Sequence, residues 1–295
     1  MASNKNTRNM AIDVCMEVVK NFSLAFLPLR AWRLKRPRAG AVFGRRDEDL
    51  ERYAFFGTRN LIGLLGSVKG LHIVEVGPGD YLTSGLSLLA AGAASYTAVD
   101  RFPGDHSGAT AKEWYRGIQS AWSRFFPSFP WPDYLKADDF PEGYPDRIEV
   151  LSTPVEELRQ KRRYDVVCSY QVGEHVSDIH VFARMNALLL KPGGTAVHRV
   201  DFSPHGCWSA YPDPLTFLRF PDWLWNLMGA HRGIPNRHRH DEFCAAFEAA
   251  GLKVDATNLE RYEPEQVDRA RLVKRFQHAP QESLLVSAAT YVCRL

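Results

Sequence analysis

The sequence has few of the features that would narrow its class at once: paired cysteines, repeats, or charge of one sign. Its five cysteines are an odd number, lie far apart and form no Cys-x-x-Cys pair. This spacing excludes a disulfide framework and a cysteine zinc site and fits a reducing compartment, so we expect a cytoplasmic protein. The formal net charge of +3 argues neither for nor against a nucleic-acid partner, and no internal repeat or low-complexity tract is present. We expect no nucleic-acid partner, because binding of single-stranded RNA would require aromatic residues interleaved with a broad basic groove.

A long hydrophobic run is also missing. The most apolar segment near the amino terminus, residues 11–29, is too short and too charged for a membrane span or a secretion signal. Basic residues follow it: Arg30, Arg33, Lys35, Arg36, Arg38, Arg45 and Arg46. The pattern predicts an amphipathic helix packed on the domain with a solvated basic end. The alternative for residues 11–46 is a lid over the active site, or a surface for an anionic substrate or peripheral membrane contact.

The sequence does contain an α/β pattern, and it is centred on residues 71–100. Residues 71–76 predict a buried strand and Gly77-Pro78-Gly79 a tight turn. We expect Thr83 or Ser84 to cap a helix that continues to Ala90. A second strand follows over residues 95–99 and ends at Asp100. Such a unit places the turn where open α/β sheets bind ligands, and an acid ending the second strand can accept hydrogen bonds from a ribose.

Two residues argue against a dinucleotide at this turn. The dinucleotide fingerprint requires a third glycine where this chain has Leu82. The carboxylate of Glu75, just before the glycines, would repel a pyrophosphate and suits a cationic group of a ligand. We therefore expect a nucleotide-type cofactor that carries a positive charge.

Further elements follow in the order of a doubly wound domain. Apolar residues make up 45% of the chain, which is enough to form a hydrophobic core. The pattern predicts a helix over residues 47–67, strands over 147–151, 164–170 and 195–200, a short helix over 155–159, and a helix over 178–190 that Lys191-Pro192-Gly193-Gly194 ends. Strands over 252–256 and 284–293 complete the sheet, with helices predicted over 241–250 and 263–276. Residues 1–46 then form an appendage and residues 47–295 the main domain.

The run from Glu75 to Tyr81, the run from Tyr164 to Val176 and the Leu-Lys-Pro-Gly-Gly helix end resemble, in this order, motifs of class I S-adenosylmethionine-dependent methyltransferases. The resemblance implies an α/β, Rossmann-like, doubly wound sheet, mostly parallel with an antiparallel last strand, and S-adenosylmethionine as cofactor. It assigns cofactor binding to eight positions: Glu75, Gly77, Gly79, Asp80, Asp100, Val155, Tyr170 and Gln171. Tyr81 replaces the third glycine of the family, which predicts a wider turn. Pro154 stands where the family often has an adenine-binding Asp, which leaves that contact to backbone N–H groups or Glu156.

Two insertions distinguish this chain, at residues 101–146 and 201–241. Both are rich in aromatic residues and proline. The first predicts a helix over 110–126 and an irregular loop, which serves either as a hydrophobic plug or as an aromatic wall for a substrate. The second resembles, loosely, the matching stretch of bacterial small-molecule and glycan methyltransferases. From it we expect Trp208, Tyr211 and Arg237 to contact the acceptor.

Methyl transfer requires a group that takes a proton from the acceptor. The candidates are His205, which Asp201 could orient, and the pair Glu174 and His175, which could instead have a structural role. We expect no metal site, because neither the set His198, Asp201 and His205 nor the set His231, His238 and His240 has a spacing specific for zinc. The arginines at 232, 237 and 239 either bind a phosphate or carboxylate on the acceptor or form a solvated surface.

The expected reaction is O-methylation of a small organic acceptor in secondary metabolism. The alternatives are a glycan or lipid-linked sugar acceptor, C-methylation of an isoprenoid diphosphate, and a non-catalytic cofactor-binding subunit. Fold alone does not choose among them.

Overall fold

A computed structural model describes residues 9–26, 47–158, 161–230 and 233–295. One sheet has the strand order β3-β2-β1-β4-β5-β7-β6. Its strands are β1 (His72–Val76), β2 (Ser95–Val99), β3 (Ile148–Leu151), β4 (Tyr164–Tyr170), β5 (Leu190–Asp201), β6 (Lys253–Arg261) and β7 (Val286–Arg294). Strand β7 runs antiparallel to both of its neighbours, whereas β1 to β5 pair in parallel. The predicted doubly wound sheet with a reversed last strand is confirmed.

The helices occupy both faces of this sheet. They are α1 (Met10–Phe26), α2 (Asp47–Leu50), α3 (Phe56–Leu65), α4 (Thr83–Ala90), α5 (Ala109–Phe125), α6 (Ile179–Leu189), α7 (Asp222–Gly229), α8 (His240–Ala249), α9 (Lys274–Gln277) and α10 (Gln281–Leu284). A π-helical turn, Glu51–Phe55, joins α2 to α3 where the sequence predicted one regular helix. No helix in these ranges is long and apolar enough to cross a membrane.

Two apolar layers cover the sheet. Helices α3, α4 and α5 pack on one face with the first insertion, and α6 and α8 pack on the other. The aromatic rings of the first insertion lie inside the first layer, since Tyr115, Trp122 and Phe140 are almost fully buried. These side chains therefore close one face of the sheet rather than forming an open wall.

The second insertion has an apolar cluster of its own, built around Trp208, Phe217 and Trp225. Helix α1 packs on this cluster. The hydroxyl of Tyr211 donates to Asp13 Oδ2 at 2.6 Å, and Asn21 Nδ2 donates to the Leu227 carbonyl at 3.0 Å.

The side of α1 that faces away from this cluster is relevant to the predicted contact of residues 11–46 with a membrane or an anionic substrate. Ile12, Met16 and Val19 are exposed there. The basic run at residues 30–46 lies outside the described residues, so a contact through 11–46 stays a prediction.

Two helix predictions are wrong. Residues 263–276 form two short 3₁₀ turns, Pro264–Gln266 and Arg269–Arg271, followed by α9. Arg269 donates to the carbonyls of Gln277 and Ala279, and these tertiary contacts replace regular helical hydrogen bonds. The helix predicted after β3 is a single 3₁₀ turn, Val155–Glu157.

Arg239 is expected to be essential for stability rather than for ligand binding. Its guanidinium is 1% exposed and donates to the carbonyls of Phe202, Leu284 and Val286 at 2.6–3.1 Å. Burial lowers its pKa to about 10, so it remains a cation at neutral pH. Arg239→Leu should lower the free energy of unfolding by about 3 kcal/mol, because three buried acceptors lose their donor.

Urea unfolding measures this loss. The matched control is Arg116→Leu, since Arg116 is 60% exposed and pairs with Asp138 on the surface. The control should change stability by about 0.5 kcal/mol or less. Equal losses in the two variants would contradict the structural role of Arg239.

Candidate active site

The glycine turn after β1 has one packed side and one open side. Gly77 and Gly79 have φ values of 69° and 86°, which favour glycine. A Cβ on Gly77 would lie 2.6 Å from Val172 Cγ2, whereas a Cβ on Gly79 would meet nothing within 4 Å. The backbone at Gly79 is therefore accessible to a ligand, as a cofactor that contacts the main chain requires.

Helix α4 begins just after this turn, and no side chain caps its first N–H groups. The prediction that Thr83 or Ser84 caps it is wrong. Leu82 is the N-cap residue, and Thr83 Oγ1 instead donates to the Tyr53 carbonyl at 2.7 Å, in the π-helical turn. The uncapped helix N-terminus adds a partial positive charge at the turn.

Glu75 lies in the interior beside the turn. Its side chain is 3% exposed and accepts a hydrogen bond from the Tyr96 hydroxyl at 2.5 Å. Burial raises the pKa of Glu75 from 4.5 to about 7, although the hydrogen bonds from Tyr96 and Ser84 oppose this shift. A raised native pKa means that the native state keeps this proton when the unfolded chain loses it.

The stability of the protein should therefore fall as pH rises from about 4.5 to about 7, and Glu75→Gln should reduce this fall. The contribution of Glu75 is fully present below pH 4.5 and is lost by pH 8, up to about 3 kcal/mol. Thermal unfolding between pH 5 and 8 measures it, with the exposed Glu248 changed to Gln as control. An unchanged pH profile for Glu75→Gln would contradict the raised pKa.

Asp100 directly follows β2 and begins a loop that packs on the glycine turn. Asp100 Oδ1 accepts the N–H of Phe102 at 2.7 Å. A Cβ on Gly104 would lie 2.2 Å from the Asp80 carbonyl oxygen, so only glycine allows this approach. The turn and the acid that ends β2 thus border one site at the carboxyl edge of the sheet.

His106 lies in the same loop, and the sequence analysis missed it. The residue is 9% exposed, and neither ring nitrogen has a hydrogen-bond partner. Burial lowers its pKa, whereas Asp100, Asp80 and Asp105 nearby oppose this effect. An unpartnered imidazole beside Asp100 is suited to contact a ligand. No motif marks it, because its position depends on the close packing at Gly104.

Three other predicted cofactor residues lie at or just after the carboxyl ends of β3 and β4. Val155 starts the 3₁₀ turn after β3 and is buried. The Tyr170 hydroxyl donates to the Gly57 carbonyl at 2.9 Å, which ties β4 to α3. Gln171 has a φ of 57°, and its Nε2 lies 3.5 Å from Asp201 Oδ2. Their contacts with the cofactor stay predictions.

The carboxyl ends of β4 and β5 bring the three candidate catalytic side chains together. Glu174 and His175 lie in the 3₁₀ turn Gly173–His175 after β4, and His205 lies in the loop after β5. The possible ligand atoms of these three side chains lie within 4.8 Å of one another. His205 Nε2 is 3.5 Å from Asp201 Oδ2, as the sequence analysis expected for an oriented histidine. We call Glu174, His175 and His205 the Glu-His-His cluster.

The protonation states of this cluster follow from its surroundings. Glu174 is 2% exposed, and neither carboxylate oxygen makes a hydrogen bond of ordinary geometry. Burial raises its pKa to about 8, although the nearby backbone N–H groups of Glu174 and Asp201 oppose this shift. The pKa of His175 is lowered to about 4, mainly because protein atoms replace water around part of its ring and secondly because His205 is close. The residue is nevertheless partly exposed to solvent. Burial alone would raise the pKa of Asp201, but hydrogen bonds from His205 and Ser203 lower it to about 2. Asp201 is thus an anion at neutral pH and His175 is a neutral imidazole.

The residues predicted to contact the acceptor are occupied elsewhere. Trp208 is 4% exposed and packs on Phe220, and the Tyr211 hydroxyl bonds Asp13. Arg237 is 3% exposed, pairs with Asp222 and donates to the Phe220 carbonyl at 2.6 Å. Packing in the second insertion and the hydrogen bond to α1 engage these three side chains, and their contacts with the acceptor stay predictions.

The histidine sets weighed as metal ligands do not converge among the described residues. His198 bonds Ser169 and Asn186 in the core. His238 pairs with Glu242, and His240 pairs with the Tyr291 hydroxyl. Two members of the sets in the second insertion, His231 and Arg232, lie outside the described residues.

Comparison with known proteins gives both sequence and structural relatives. Two relatives are ubiquinone biosynthesis O-methyltransferases, from Bradyrhizobium diazoefficiens (42% identical over 50 residues) and Bradyrhizobium sp. strain ORS 278 (40% over 50 residues). Each match covers 17% of this chain and spans only 20% of the relative.

Solved structures are similar to this chain at low sequence identity and low TM-scores. A complex of the Haloferax volcanii Trm112 methyltransferase activator with a putative methyltransferase has 17% identity and a TM-score of 0.44, over 87% of this chain and 96% of that chain. An S-adenosylmethionine-dependent methyltransferase from Mesorhizobium loti has 16% identity and a TM-score of 0.41, over 80% of this chain and 96% of that chain. Likenesses of this size carry no conclusion about function.

A family model described as a methyltransferase domain matches residues 33–257. The match covers most of the chain, including the glycine turn, Asp100 and the Glu-His-His cluster. The protein therefore belongs to the family of class I methyltransferases, whose cofactor is S-adenosylmethionine.

Proposed function

We propose that this protein transfers the methyl group of S-adenosylmethionine to an oxygen atom of a small organic acceptor. One observation carries the proposal. The glycine turn touches Val172, two residues before Glu174, so the cofactor turn and the Glu-His-His cluster share one edge of the sheet. A cofactor bound at the turn would place its methyl group toward the side chains that can take a proton.

The cofactor would be held by residues from three loops. The backbone of Gly77, Gly79 and Asp80 would approach its methionine part, and the Asp100 carboxylate would accept hydrogen bonds from its ribose. S-Adenosylmethionine supplies an electrophilic methyl group on a positively charged sulfur. The interior carboxyl of Glu75 and the close contact at Gly104 would hold the turn in place, and His106 would border the ribose.

Transfer is an in-line displacement, and the enzyme supplies position and proton removal. Nε2 of His205 faces Asp201, which holds the ring and leaves the lone pair for Nδ1. The proton of an acceptor hydroxyl would leave at the cluster as the oxygen attacks the methyl carbon. The Asp201 anion would stabilise the positive charge that develops nearby.

Two further observations support an oxygen atom as the one that receives the methyl group. The relatives with 50 matching residues are O-methyltransferases of ubiquinone biosynthesis, which favours a phenolic hydroxyl. The C-methylation alternative needed arginines to hold a diphosphate, but Arg237 and Arg239 are buried and engaged with protein groups. A phenol or catechol is therefore the acceptor class to test first.

Calorimetric titration with S-adenosylmethionine tests the first step. Asp100→Ala should weaken binding about tenfold, since a charged acceptor of hydrogen bonds is lost. The control is Asp138→Ala, because Asp138 lies 67% exposed in the first insertion and pairs with Arg116. Equal affinity of the Asp100 variant and the unaltered protein would contradict the ribose assignment.

Release of S-adenosylhomocysteine with a panel of phenols, catechols, amines and thiols tests the acceptor. Turnover with phenols or catechols alone supports the proposal. Turnover only with amines or thiols contradicts it, and cofactor binding without turnover on any acceptor favours a non-catalytic subunit.

A further inference from the structure

We propose that the Glu-His-His cluster of Glu174, His175 and His205 binds a divalent metal ion. The inference rests on the proposed function and deepens it, because it names what makes the hydroxyl of the acceptor easier to deprotonate. The sequence analysis predicted no metal site and weighed other histidine sets, so Glu174, His175 and His205 were not considered together as ligands. Glu174 and His205 lie 31 positions apart in the chain. The fold alone brings them together.

The geometry of the cluster suits a metal ion. One carboxylate and two imidazoles come from two loops, and their ligand-type atoms lie within 4.8 Å of one another. Ligand atoms at about 2.1 Å from an ion are separated by about 3–3.5 Å, so a modest rotation of side chains completes the site. His175 is exposed and His205 is half-buried, so an ion from solvent can reach the cluster.

Glu174 supplies an observation that points independently to a cation. Its carboxyl group is 2% exposed, and neither oxygen makes a hydrogen bond of ordinary geometry, although the backbone N–H groups of Glu174 and Asp201 are near it. Buried polar groups in proteins nearly always have partners, because an unsatisfied one is costly. No lysine or arginine bonds this carboxyl among the described residues, and a metal ion between Glu174 and the two histidines would supply the missing partner.

The surroundings also hold the ligands in place. Asp201 Oδ2 lies 3.5 Å from His205 Nε2, the arrangement in which a carboxylate orients a ligand histidine. Asn236 Nδ2 donates to the carbonyls of Gly173 and Val176, at 2.9 and 3.1 Å. The Asn236 N–H also donates to the Glu174 carbonyl, so the second insertion clamps the turn that carries two ligands.

Two imidazoles and one carboxylate suit Zn²⁺, Mn²⁺, Fe²⁺ or Co²⁺ better than Ca²⁺ or Mg²⁺, which prefer oxygen ligands. Three protein ligands leave coordination positions for an acceptor. A hydroxyl bound there loses its proton to solvent more readily. The oxygen–carbon bond to the methyl group then forms as the sulfur–carbon bond breaks, and sulfur keeps the electron pair in S-adenosylhomocysteine.

Titration of the chelator-treated full chain with Co²⁺, Zn²⁺, Mn²⁺ and Mg²⁺ tests the proposal, without cofactor or acceptor. We expect one bound ion per chain for at least one of the first three, and a visible absorption band on Co²⁺ binding. Glu174→Gln and His205→Asn should each weaken that binding at least tenfold. His180→Asn is the control, because His180 is an exposed histidine on α6.

Thermal unfolding shows whether a variant that binds no ion is still folded. The ion should raise the melting temperature of the unaltered protein and of His180→Asn by several degrees, and this shift should be absent in the two cluster variants. Equal binding by Glu174→Gln and the unaltered protein, or no binding of any ion, would overturn the metal site. Metal binding without methyl transfer would overturn the proposed function alone.

Discussion

His205→Asn is expected to lower kcat for methyl transfer by about 10²–10³-fold, with S-adenosylmethionine affinity changed by less than about twofold. The physical reason is position. His205 follows β5, its Nε2 faces the Asp201 anion at 3.5 Å, and its ring centroid lies 5.2 Å from that of His175. Asparagine can neither take the proton of the acceptor nor coordinate an ion as imidazole does, whereas the cofactor turn is left intact.

Asp201→Asn should produce part of the same loss, since it removes the group that orients His205. The double variant should be no slower than His205→Asn alone, because the two residues act as one unit. Steady-state kinetics at saturating cofactor, with His180→Asn as control, measure all three. Losses that multiply in the double variant would show that Asp201 acts independently of His205.

Gly77→Ala is expected to raise the Kd for S-adenosylmethionine by at least about tenfold. Two effects combine at this position. The φ of 69° strains any residue with a Cβ, and that Cβ would lie 2.6 Å from Val172 Cγ2. The turn must shift to relieve this overlap, and a shifted turn no longer presents its backbone to the cofactor.

Gly251→Ala is the control that separates the effect of backbone strain from the effect of the overlap with Val172. Gly251 has a φ of 83° after α8, and a Cβ there would meet nothing within 4 Å. Both alanine variants should lose about 1 kcal/mol of stability from backbone strain, but only Gly77→Ala should lose cofactor affinity. Adding Val172→Ala to Gly77→Ala removes the overlapping methyl groups and should restore part of the affinity. Calorimetry on the four proteins measures this, and equal Kd values for Gly77→Ala and Gly251→Ala would contradict the model of the turn.

The strands were predictable because their causes are local. Residues 72–76, 95–99 and 164–170 are short apolar runs bounded by glycine, acid or polar residues, and each became a strand within one residue of the prediction. The motifs around Gly77 and Asp100 could likewise be recognised from the chain, because the glycine turn and the acid that ends β2 are close in sequence.

The failures have a common cause, which is competition from tertiary contacts. Residues 263–276 have charges typical of a solvated helix, but Arg269 bonds distant carbonyls and Leu272 and Phe276 pack on the second insertion. Thr83 was predicted to cap α4, but its hydroxyl reaches the π-helical turn instead. Aromatic and arginine residues such as Trp208 and Arg237 indicated a binding surface, and packing placed them inside.

The sequence by itself determined the strands, the glycine turn and the family, because short apolar runs, glycines and acids act within a few residues of one another. Only the tertiary structure decided which polar side chains share a site. Glu174, His175 and His205 come from loops after two different strands, and the parallel pairing of β4 with β5 brings those loops to one edge. His106 is placed by the contact of Gly104 with Asp80, and such an approach of two backbones leaves no pattern in either segment alone.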